Sequence, residues 1–571
     1  SFQMRVCVVG AGASGLPAIK ACIEEGLDVV CFEKTADIGG LWNYRPGQKD
    51  IGGTVMESTV VNTSKEMMAY SDFPPPAEFA NFMHHTKVIE YIKSYAEHFG
   101  LMDKIRFNTP VKRISRNEQN KYIVSLQNGE IEEFEKLILC TGHHAEPSYP
   151  ELKNLDNFKG KVVHAYDYTN TSGYEGKDVF LLGIGNSALD IAVDIAKIAK
   201  SVTISTRRGT WIFNRVSQGG MPYDVQLFSR YYDTLLKTIP HAVANDFMEY
   251  RLQQRMDHDV YGLRPDHRFF QQHPTVNDAL ANLLCAGYIT ITEDIDTFTE
   301  NSVIVKGGRE FKCDIFLTCT GYTFGFPFVD SDIVEIKNQQ VPLYKYVFPP
   351  NSDSVAVIGL IQPIGSIAPI SEIQSRWAAR VFAGRCQLPS SQEQIDDIQK
   401  KKAAMKKRYF DSIKHTIQVD YMSYMDEIAE IIGCLPPMKH YLFFYPRFWM
   451  KLFMGANVPY AYRLVGPHAW EGAEQAIWTV SERVKKPLKN RQCRIRKHKK
   501  RGSTDEYFRY ATQKVIATNI SILFCSGLLL YCSTTSTLPP AVYFFSFFLF
   551  FTLYGATLMW FDLQYDMTTI F

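Results

Sequence analysis

The sequence predicts an α/β protein: two Rossmann-like dinucleotide-binding domains, the second with a helical insertion, and a C-terminal membrane-anchoring tail. Three observations carry this. A glycine cluster follows an apolar strand at Gly10, a second follows another at Gly183, and Val515 to Phe561 contains no Asp, Glu, Lys or Arg. The 571 residues give a soft prior of about three to four domains. Lys+Arg total 62 against 60 for Asp+Glu, a net charge of +2 that offers no electrostatic case for nucleic acid. With 46% hydrophobic and 21% charged residues, wholesale disorder is excluded. The 12 cysteines include no CxxC pair, which suits reduced thiols better than a disulfide framework, and no metal site is expected. The apolar run Val6 to Val9 leads into glycines rather than a cleavage site, so no signal peptide is expected.

The first element is Arg5-Val6-Cys7-Val8-Val9, a short apolar run that reads as a buried parallel strand. Gly10-Ala11-Gly12-Ala13-Ser14-Gly15 follows, then a helix over 16–25 and a second strand, Val29 to Phe32, ending at Glu33. In such a βαβ unit Gly10 permits the tight turn, Gly12 admits a pyrophosphate, and Gly15 lets helix and strand pack. The helix N-terminus offers free N–H groups to phosphate, and Glu33 can accept from ribose hydroxyls.

The pattern recurs. Val179 to Leu182 is a strand, Gly183-Ile184-Gly185-Asn186-Ser187-Ala188 is the turn, residues 189–199 read as a helix, and Val202 to Ser205 is the next strand. Here no acid ends the strand; Ser205-Thr206-Arg207-Arg208 does. A carboxylate would repel a ribose 2′-phosphate, whereas guanidinium binds it. The first site therefore favours a dinucleotide with a free 2′-hydroxyl and the second favours NADPH. A solvated strand end is the plain alternative for Arg207 and Arg208. Leu137 to Gly142 and Ile315 to Tyr322 each run a buried strand into Thr-Gly.

Further along, Tyr441 to Tyr462 is aromatic but broken by Arg447 and Lys451, so it suits an interface or ordinary core better than a span. Ten Lys and Arg then crowd Lys485 to Arg501. Beyond them lie two apolar stretches, Val515 to Ser533 and Ala541 to Phe561, parted by a turn with Pro539-Pro540. At about 1.5 Å per residue, either is near one hydrocarbon core in length. The basic run would stay on the cytosolic side and meet a lipid bilayer. One span or two is left open.

At this point the sequence resembles the eukaryotic, membrane-bound flavin-containing monooxygenases. Gly39-Gly40-Leu41-Trp42 matches their flavin-side loop. Phe158 to Tyr168 fits their FxGxxxHxxx[YF] signature, with Thr169 where Lys is usual. Val61-Asn62-Thr63-Ser64-Lys65-Glu66-Met67 resembles the segment bearing their active-site Asn. Gln362 and Gln374 resemble their flavin-contacting glutamines, and Arg463 to Pro467 and Trp470 to Ala473 match near their C-terminal end. The likeness spans about residues 4 to 480; the tail is longer than the usual single anchor, and Cys319 replaces a usual Ala.

The resemblance implies FAD and NADPH as cofactors. It implies a C4a-hydroperoxyflavin that oxygenates a small lipophilic nucleophile with O₂, giving N-oxides or S-oxides. Asn62 would be the catalytic residue, donating to the peroxide without supplying an acidic proton. By its residue types alone Asn62 also suits a cap or turn before a helical 64–68 stretch. Asn186 would serve the oxidised nicotinamide, or cap its helix. The remaining cofactor contacts implied are Gly10, Gly12, Ala13, Ser14, Gly15, Glu33, Gly40, Leu41, Trp42, Asn62, Thr63, Gln362 and Gln374 for FAD. For NADPH they are Gly183, Gly185, Asn186, Ser187, Ser205, Thr206, Arg207 and Arg208. The location implied is the endoplasmic reticulum membrane with the catalytic domains facing the cytosol.

The expected organisation is an FAD domain over 1–157 and 331–440, and an NADPH domain over 158–330 with a helical insertion at 212–297. An aromatic membrane-proximal region and basic linker follow at 441–514, and the transmembrane tail at 515–571. Rival readings stay open: Baeyer–Villiger oxygenation of carbonyl compounds, or NADPH oxidase activity releasing H₂O₂. A disulfide oxidoreductase lacks its Cys pair near the first site, and a nucleotide-sensing scaffold would need no intact sites. Physiological substrate and homo-oligomer formation are left open. His84–His85 and His143–His144 read as loop or strand-end histidines rather than ligands.

Overall fold

A computed structural model describes residues 4–489 apart from 49–51, 145, 218, 337–338 and 409–415. The expected transmembrane tail, and the basic linker from residue 490 onward, lie outside the described residues. Among the described residues no helix is long and apolar enough to cross a membrane.

Ten strands build two parallel sheets: β1 (Arg5–Val9), β2 (Asp28–Phe32), β3 (Ile105–Arg106), β4 (Lys136–Leu139), β5 (Lys161–His164), β6 (Asp178–Leu182), β7 (Ser201–Ser205), β8 (Ile289–Thr292), β9 (Ile315–Thr318) and β10 (Val355–Val357). The first sheet has the order β10-β4-β1-β2-β3, the second β8-β7-β6-β9-β5. Each places its glycine-ended strand centrally, between the strand that its own helix returns to and the strand that ends in Thr-Gly. Strand direction of return reverses there, which opens the crevice where open α/β sheets bind ligands. Both central strands are buried on both faces, as their unbroken apolar runs require.

The helices are α1 (Gly15–Glu24), α2 (His85–His98), α3 (Asn186–Ile195), α4 (Tyr223–Leu227), α5 (Arg230–Thr238), α6 (His241–Gln253), α7 (Leu280–Cys285), α8 (Ile367–Phe382), α9 (Ser391–Arg408), α10 (Tyr421–Ile432), α11 (Met438–Phe444), α12 (Pro446–Met454) and α13 (Ala473–Lys485). Helix α1 packs on α8, and α8 on α10, over the first sheet. The largest core runs through these helices and includes Trp377, Ile428 and Tyr460.

Three expectations change. Residues 289–292, placed by sequence inside the helical insertion, form β8 and pair in register with β7, Val202 opposite Ile289. The aromatic region is not all surface: Tyr460 and Tyr462 are fully buried, their hydroxyls held by Glu66 at 2.8 Å and Asp426 at 2.7 Å. The stretch 64–68 is a turn, not a helix. Its side chains are drawn to separate places: Lys65 donates to the carbonyls of Ala77 (2.6 Å) and Phe79 (2.7 Å), and Glu66 turns to Tyr460 and Arg483.

Candidate functional site

The two glycine turns are built alike. Gly10 adopts φ +99°, and a Cβ there would stand 2.8 Å from the Cys140 carbonyl at the end of β4. Gly183 adopts φ +118°, and its Cβ would stand 2.7 Å from the Cys319 carbonyl at the end of β9. Each Thr-Gly strand end thus closes directly on a glycine turn, which no side chain could allow.

In the first turn, Gly40 lies against Gly12, and the Gly39 N–H donates to the Ala11 carbonyl at 3.0 Å. The loop with Leu41 and Trp42 is thereby folded over the phosphate cradle. Glu33 ends β2 buried; its Oε2 accepts from Ala11 N at 2.7 Å and its Oε1 from Thr35 N at 2.9 Å. The Thr35 hydroxyl also donates to Oε1 at 2.8 Å; a carboxylate has roughly four acceptor positions, so these three bonds leave about one for a ribose hydroxyl, on Oε2. Ser14 Oγ joins Ser371 Oγ at 2.9 Å, and Tyr70 donates to the Ala13 carbonyl at 2.8 Å. These bonds fix the start of α1.

In the second turn, nothing lies within 4 Å of a Cβ placed on Gly185, and Gly185, Asn186 and Ser187 are exposed, an open approach to the N-terminus of α3. Arg207 and Arg208 stand exposed after β7. Three predicted contacts here also bond within the chain. Asn186 does not cap α3; Gly185 holds the cap position, and Asn186 Oδ1 accepts from Val276 N at 2.8 Å. Ser205 is fully buried and donates to the Glu293 carbonyl at 2.7 Å. Thr206 Oγ1 accepts from Gly209 N at 3.0 Å. In the first domain Gln374 is likewise fully buried. It accepts from Gly359 N at 2.9 Å and donates to Tyr424 at 2.7 Å, so it braces the Gly359 turn beside Ser14. Gln362, by contrast, is exposed at the edge of that turn.

Asn62 and Thr63 are both half-buried. The Asn62 Oδ1 is buried and has no hydrogen-bond partner among the described residues. The backbone on both sides is clamped. Val61 N donates to the Met83 carbonyl at 3.0 Å, Arg215 reaches the Val60 carbonyl at 3.5 Å, and Ser64 N donates to Asp224 Oδ2 at 2.6 Å. Arg215 and Asp224 both come from the insertion. A clamped amide with an unpaired buried oxygen is what a missing ligand would leave behind.

Four titratable groups around these elements are shifted. Desolvation pushes the His143 imidazole down to about 3, with the nearby His144 adding to it, and pushes His144 down to about 4. The two rings stand 4.2 Å apart, His143 half-buried and His144 more exposed. Tyr322, after β9, lies 4.9 Å from the His144 ring. Burial also raises Asp190 and Asp224 to about 6. Among the described residues no group of His, Cys, Asp and Glu could hold a metal ion.

Asp224, Arg215, His143 and His144 were not singled out as site residues from sequence. Asp224 follows Pro222 in the first turn of a helix, where an acid is ordinary, so no local signal marks it.

The family model described as flavin-binding monooxygenase-like matches residues 3–525. The chain belongs to this family. It is 44% identical over 502 residues to flavin-containing monooxygenase 5 of Cavia porcellus, covering 86% of this chain and 94% of that protein. It is 39% identical over 499 residues to the N-oxide-forming dimethylaniline monooxygenase 2 of Oryctolagus cuniculus, covering 85% and 93%. The S-allyl-L-cysteine S-oxygenase of Allium sativum shares the fold, with TM-score 0.59 at 23% identity over 84% of this chain and 99% of that one. This flavin-binding monooxygenase is an NADPH-dependent enzyme, and its cofactors are FAD and NADPH. The residues present fit them: an acid-ended cradle, an arginine-ended cradle, and the buried, unpaired amide oxygen of Asn62.

Proposed function

We propose that this enzyme oxygenates small lipophilic nucleophiles, amines at nitrogen and sulfides at sulfur, at the expense of NADPH and O₂. The observation that carries the reading is Asn62, an uncharged amide on a clamped backbone, whose buried Oδ1 has no partner among the described residues and is free to accept from a ligand while its Nδ2H₂ donates. In this reading Gly10, Gly12, Ser14, Glu33 and the Gly40–Trp42 turn hold FAD. Gly183, Gly185 and Arg207 hold NADPH, with the Arg207 guanidinium on the 2′-phosphate. Bound FAD, once reduced, supplies an electrophilic oxygen drawn from O₂. The chain has three tasks. Asn62 holds a fixed donor at the reacting face and, being uncharged, offers no acidic proton. The Arg215 and Asp224 contacts keep that donor in place. Neutral His143 and His144, after β4, add no charge beside the first cradle.

The reading extends to location. Residues 515–571 would anchor the chain in the endoplasmic reticulum membrane, with the basic run from Lys485 holding the described domains in the cytosol. Leu442, Phe443, Phe444 and Tyr445 are exposed around the α11–α12 junction and offer lipid a second contact.

The test is product analysis on matched amine, sulfide and ketone probes, with NADPH and O₂ uptake followed together. N-oxide or S-oxide formation matching O₂ uptake is expected. Ester from the ketone alone would transfer the reading to Baeyer–Villiger chemistry, and H₂O₂ without any oxygenated probe would make it an oxidase.

A further inference from the structure

The glycine turn of the second cradle is held by a hydroxyl from outside its own βαβ unit. Thr275, in the short strand Thr275–Val276 of the insertion, is 4% exposed, and its Oγ1 donates to the Ile184 carbonyl at 2.8 Å. The next residue adds a second tie, the Val276 N–H on Asn186 Oδ1 at 2.8 Å. Thr275 is itself fixed from two sides. Its N–H donates to the Trp211 carbonyl at 2.9 Å, and its Oγ1 lies 3.1 Å from Thr210 Oγ1. The single Thr275 hydroxyl proton goes to Ile184, so Thr210 is the donor in that pair. Two buried hydroxyls thus form a relay that ends on the Ile184 carbonyl, and each bond in such a relay strengthens the next.

Ile184 is flanked by Gly183 and Gly185. Glycine takes either sign of φ readily, so the peptide joining Ile184 to Gly185 could turn over if nothing held its oxygen. The C=O and N–H of one trans peptide point in opposite directions. With its oxygen drawn to Thr275, this peptide turns the Gly185 N–H away from the insertion. That N–H has no acceptor among the described residues, and nothing lies within 4 Å of a Cβ placed on Gly185. It stands before the N-terminus of α3, where a phosphate is favoured. The first cradle is braced in a comparable way: Tyr70, fully buried, donates to the Ala13 carbonyl at 2.8 Å, on the peptide whose N–H belongs to Ser14.

We propose that Thr275 is a positioning residue for NADPH: it holds the Ile184–Gly185 peptide so that the Gly185 N–H meets the cofactor's pyrophosphate. The proposal rests on the assignment of this turn to NADPH. NADPH and NADH share the pyrophosphate, so Thr275 serves both alike. Arg207, by contrast, serves the 2′-phosphate that only NADPH carries. Thr210 lies three residues beyond Arg207, so the relay also ties the arginine-bearing loop to the glycine turn.

The test uses the FAD-loaded enzyme. Thr275→Val keeps the side chain's shape and removes the hydroxyl; Thr275→Ser keeps the hydroxyl. Flavin content and the thermal midpoint report folding. Calorimetry gives the Kd for NADP⁺, and steady-state kinetics give the KM for NADPH and for NADH. A hydrogen bond of this kind is about threefold to tenfold in affinity. Thr275→Val should raise the Kd for NADP⁺ and both KM values by that factor, with the preference for NADPH kept, and Thr275→Ser should return most of the loss. An unchanged Kd in flavin-loaded Thr275→Val overturns the proposal. So does a loss in Thr275→Ser as large as in Thr275→Val, which would assign the effect to the methyl group. If Thr275→Val loses its flavin, Thr275→Ala takes its place. Arg207→Ala is the control for the assignment of the turn. If it weakens NADP⁺ while Thr275→Val does not, the proposal alone fails; if neither weakens NADP⁺, the assignment falls with it.

Discussion

Asn62 lies in a turn whose backbone is tied to residues 83, 215 and 224, and its amide oxygen is left over. The oxygen can only accept, so the donating group is the Nδ2H₂ of the same amide, and a fixed donor at a reacting centre contributes about a hundredfold. Asn62→Ala should therefore keep flavin reduction by NADPH near the parent rate while oxygenated product falls by about that factor and H₂O₂ takes its place. Unchanged coupling of NADPH to product would remove Asn62 from the chemistry. Arg207 is exposed at the end of β7, where a 2′-phosphate would come. Arg207→Ala should raise the KM for NADPH about tenfold or more and leave NADH nearly unaffected. A preserved NADPH preference would put the phosphate elsewhere. Local geometry was legible where it depends on nearby backbone. Gly10, Gly12 and Glu33 are of this kind, because turn and strand end are set within thirty residues. The hydrogen-bond partners of Gln374, Asn186 and Ser205, which are Tyr424, Val276 N and the Glu293 carbonyl, were not legible because they arrive from far along the chain. Spacing carries no record of such pairings.

The two βαβ units were legible as elements because strand, glycine turn and helix follow one another directly, and their apolar runs match burial on both faces. The turn at 64–68 was not. Its apparent helical pattern is overridden by ties to three distant parts of the chain. The strongest comes from α13: Arg483 binds Glu66 at 3.0 Å and also reaches the Pro75 carbonyl, while Asn81 donates to the Val484 carbonyl at 2.9 Å. Glu66 is fully buried, so it depends on Arg483 and Tyr460 for its charge. Removing one partner of a buried pair costs about 3–5 kcal/mol, chiefly through the charge left behind. Arg483→Ala should lower the denaturant midpoint accordingly, and adding Glu66→Gln should recover part of the loss. Equal midpoints for parent and Arg483→Ala would show that the pair is energetically idle. The double variant separates charge burial from lost packing, since only the former is relieved by neutralising Glu66.

At the scale of the whole molecule, the sequence separated a catalytic body from an apolar tail by charge alone, and misplaced part of the border. Residues 457–485 belong to the largest core, whereas the aromatic run just before them is divided between core and surface. Phe448 and Leu452 face inward, but Phe443 and Phe444 are 76% and 69% exposed. Composition cannot distinguish the two faces; only packing against α5 and α13 does so. Tyr231 on α5 meets Phe453 at 6.2 Å, and Trp478 on α13 meets Phe448 at 5.6 Å. This leaves a body with exposed aromatics at the α11–α12 junction and an exposed cation, Arg447, on α12 beside them. An apolar patch with adjacent positive charge binds anionic bilayers reversibly, and stable anchoring takes a second signal. A chain truncated after residue 489 should therefore leave the membrane pellet in salt but still bind vesicles containing anionic lipid at low ionic strength. Phe443→Ser with Phe444→Ser should abolish that residual binding, and neutral vesicles should bind less than anionic ones because only the screened term is lost. Truncated protein that ignores anionic vesicles would confine membrane contact to the tail. Truncated protein that stays in the pellet at high salt would make the aromatic face, rather than residues 515–571, the principal anchor.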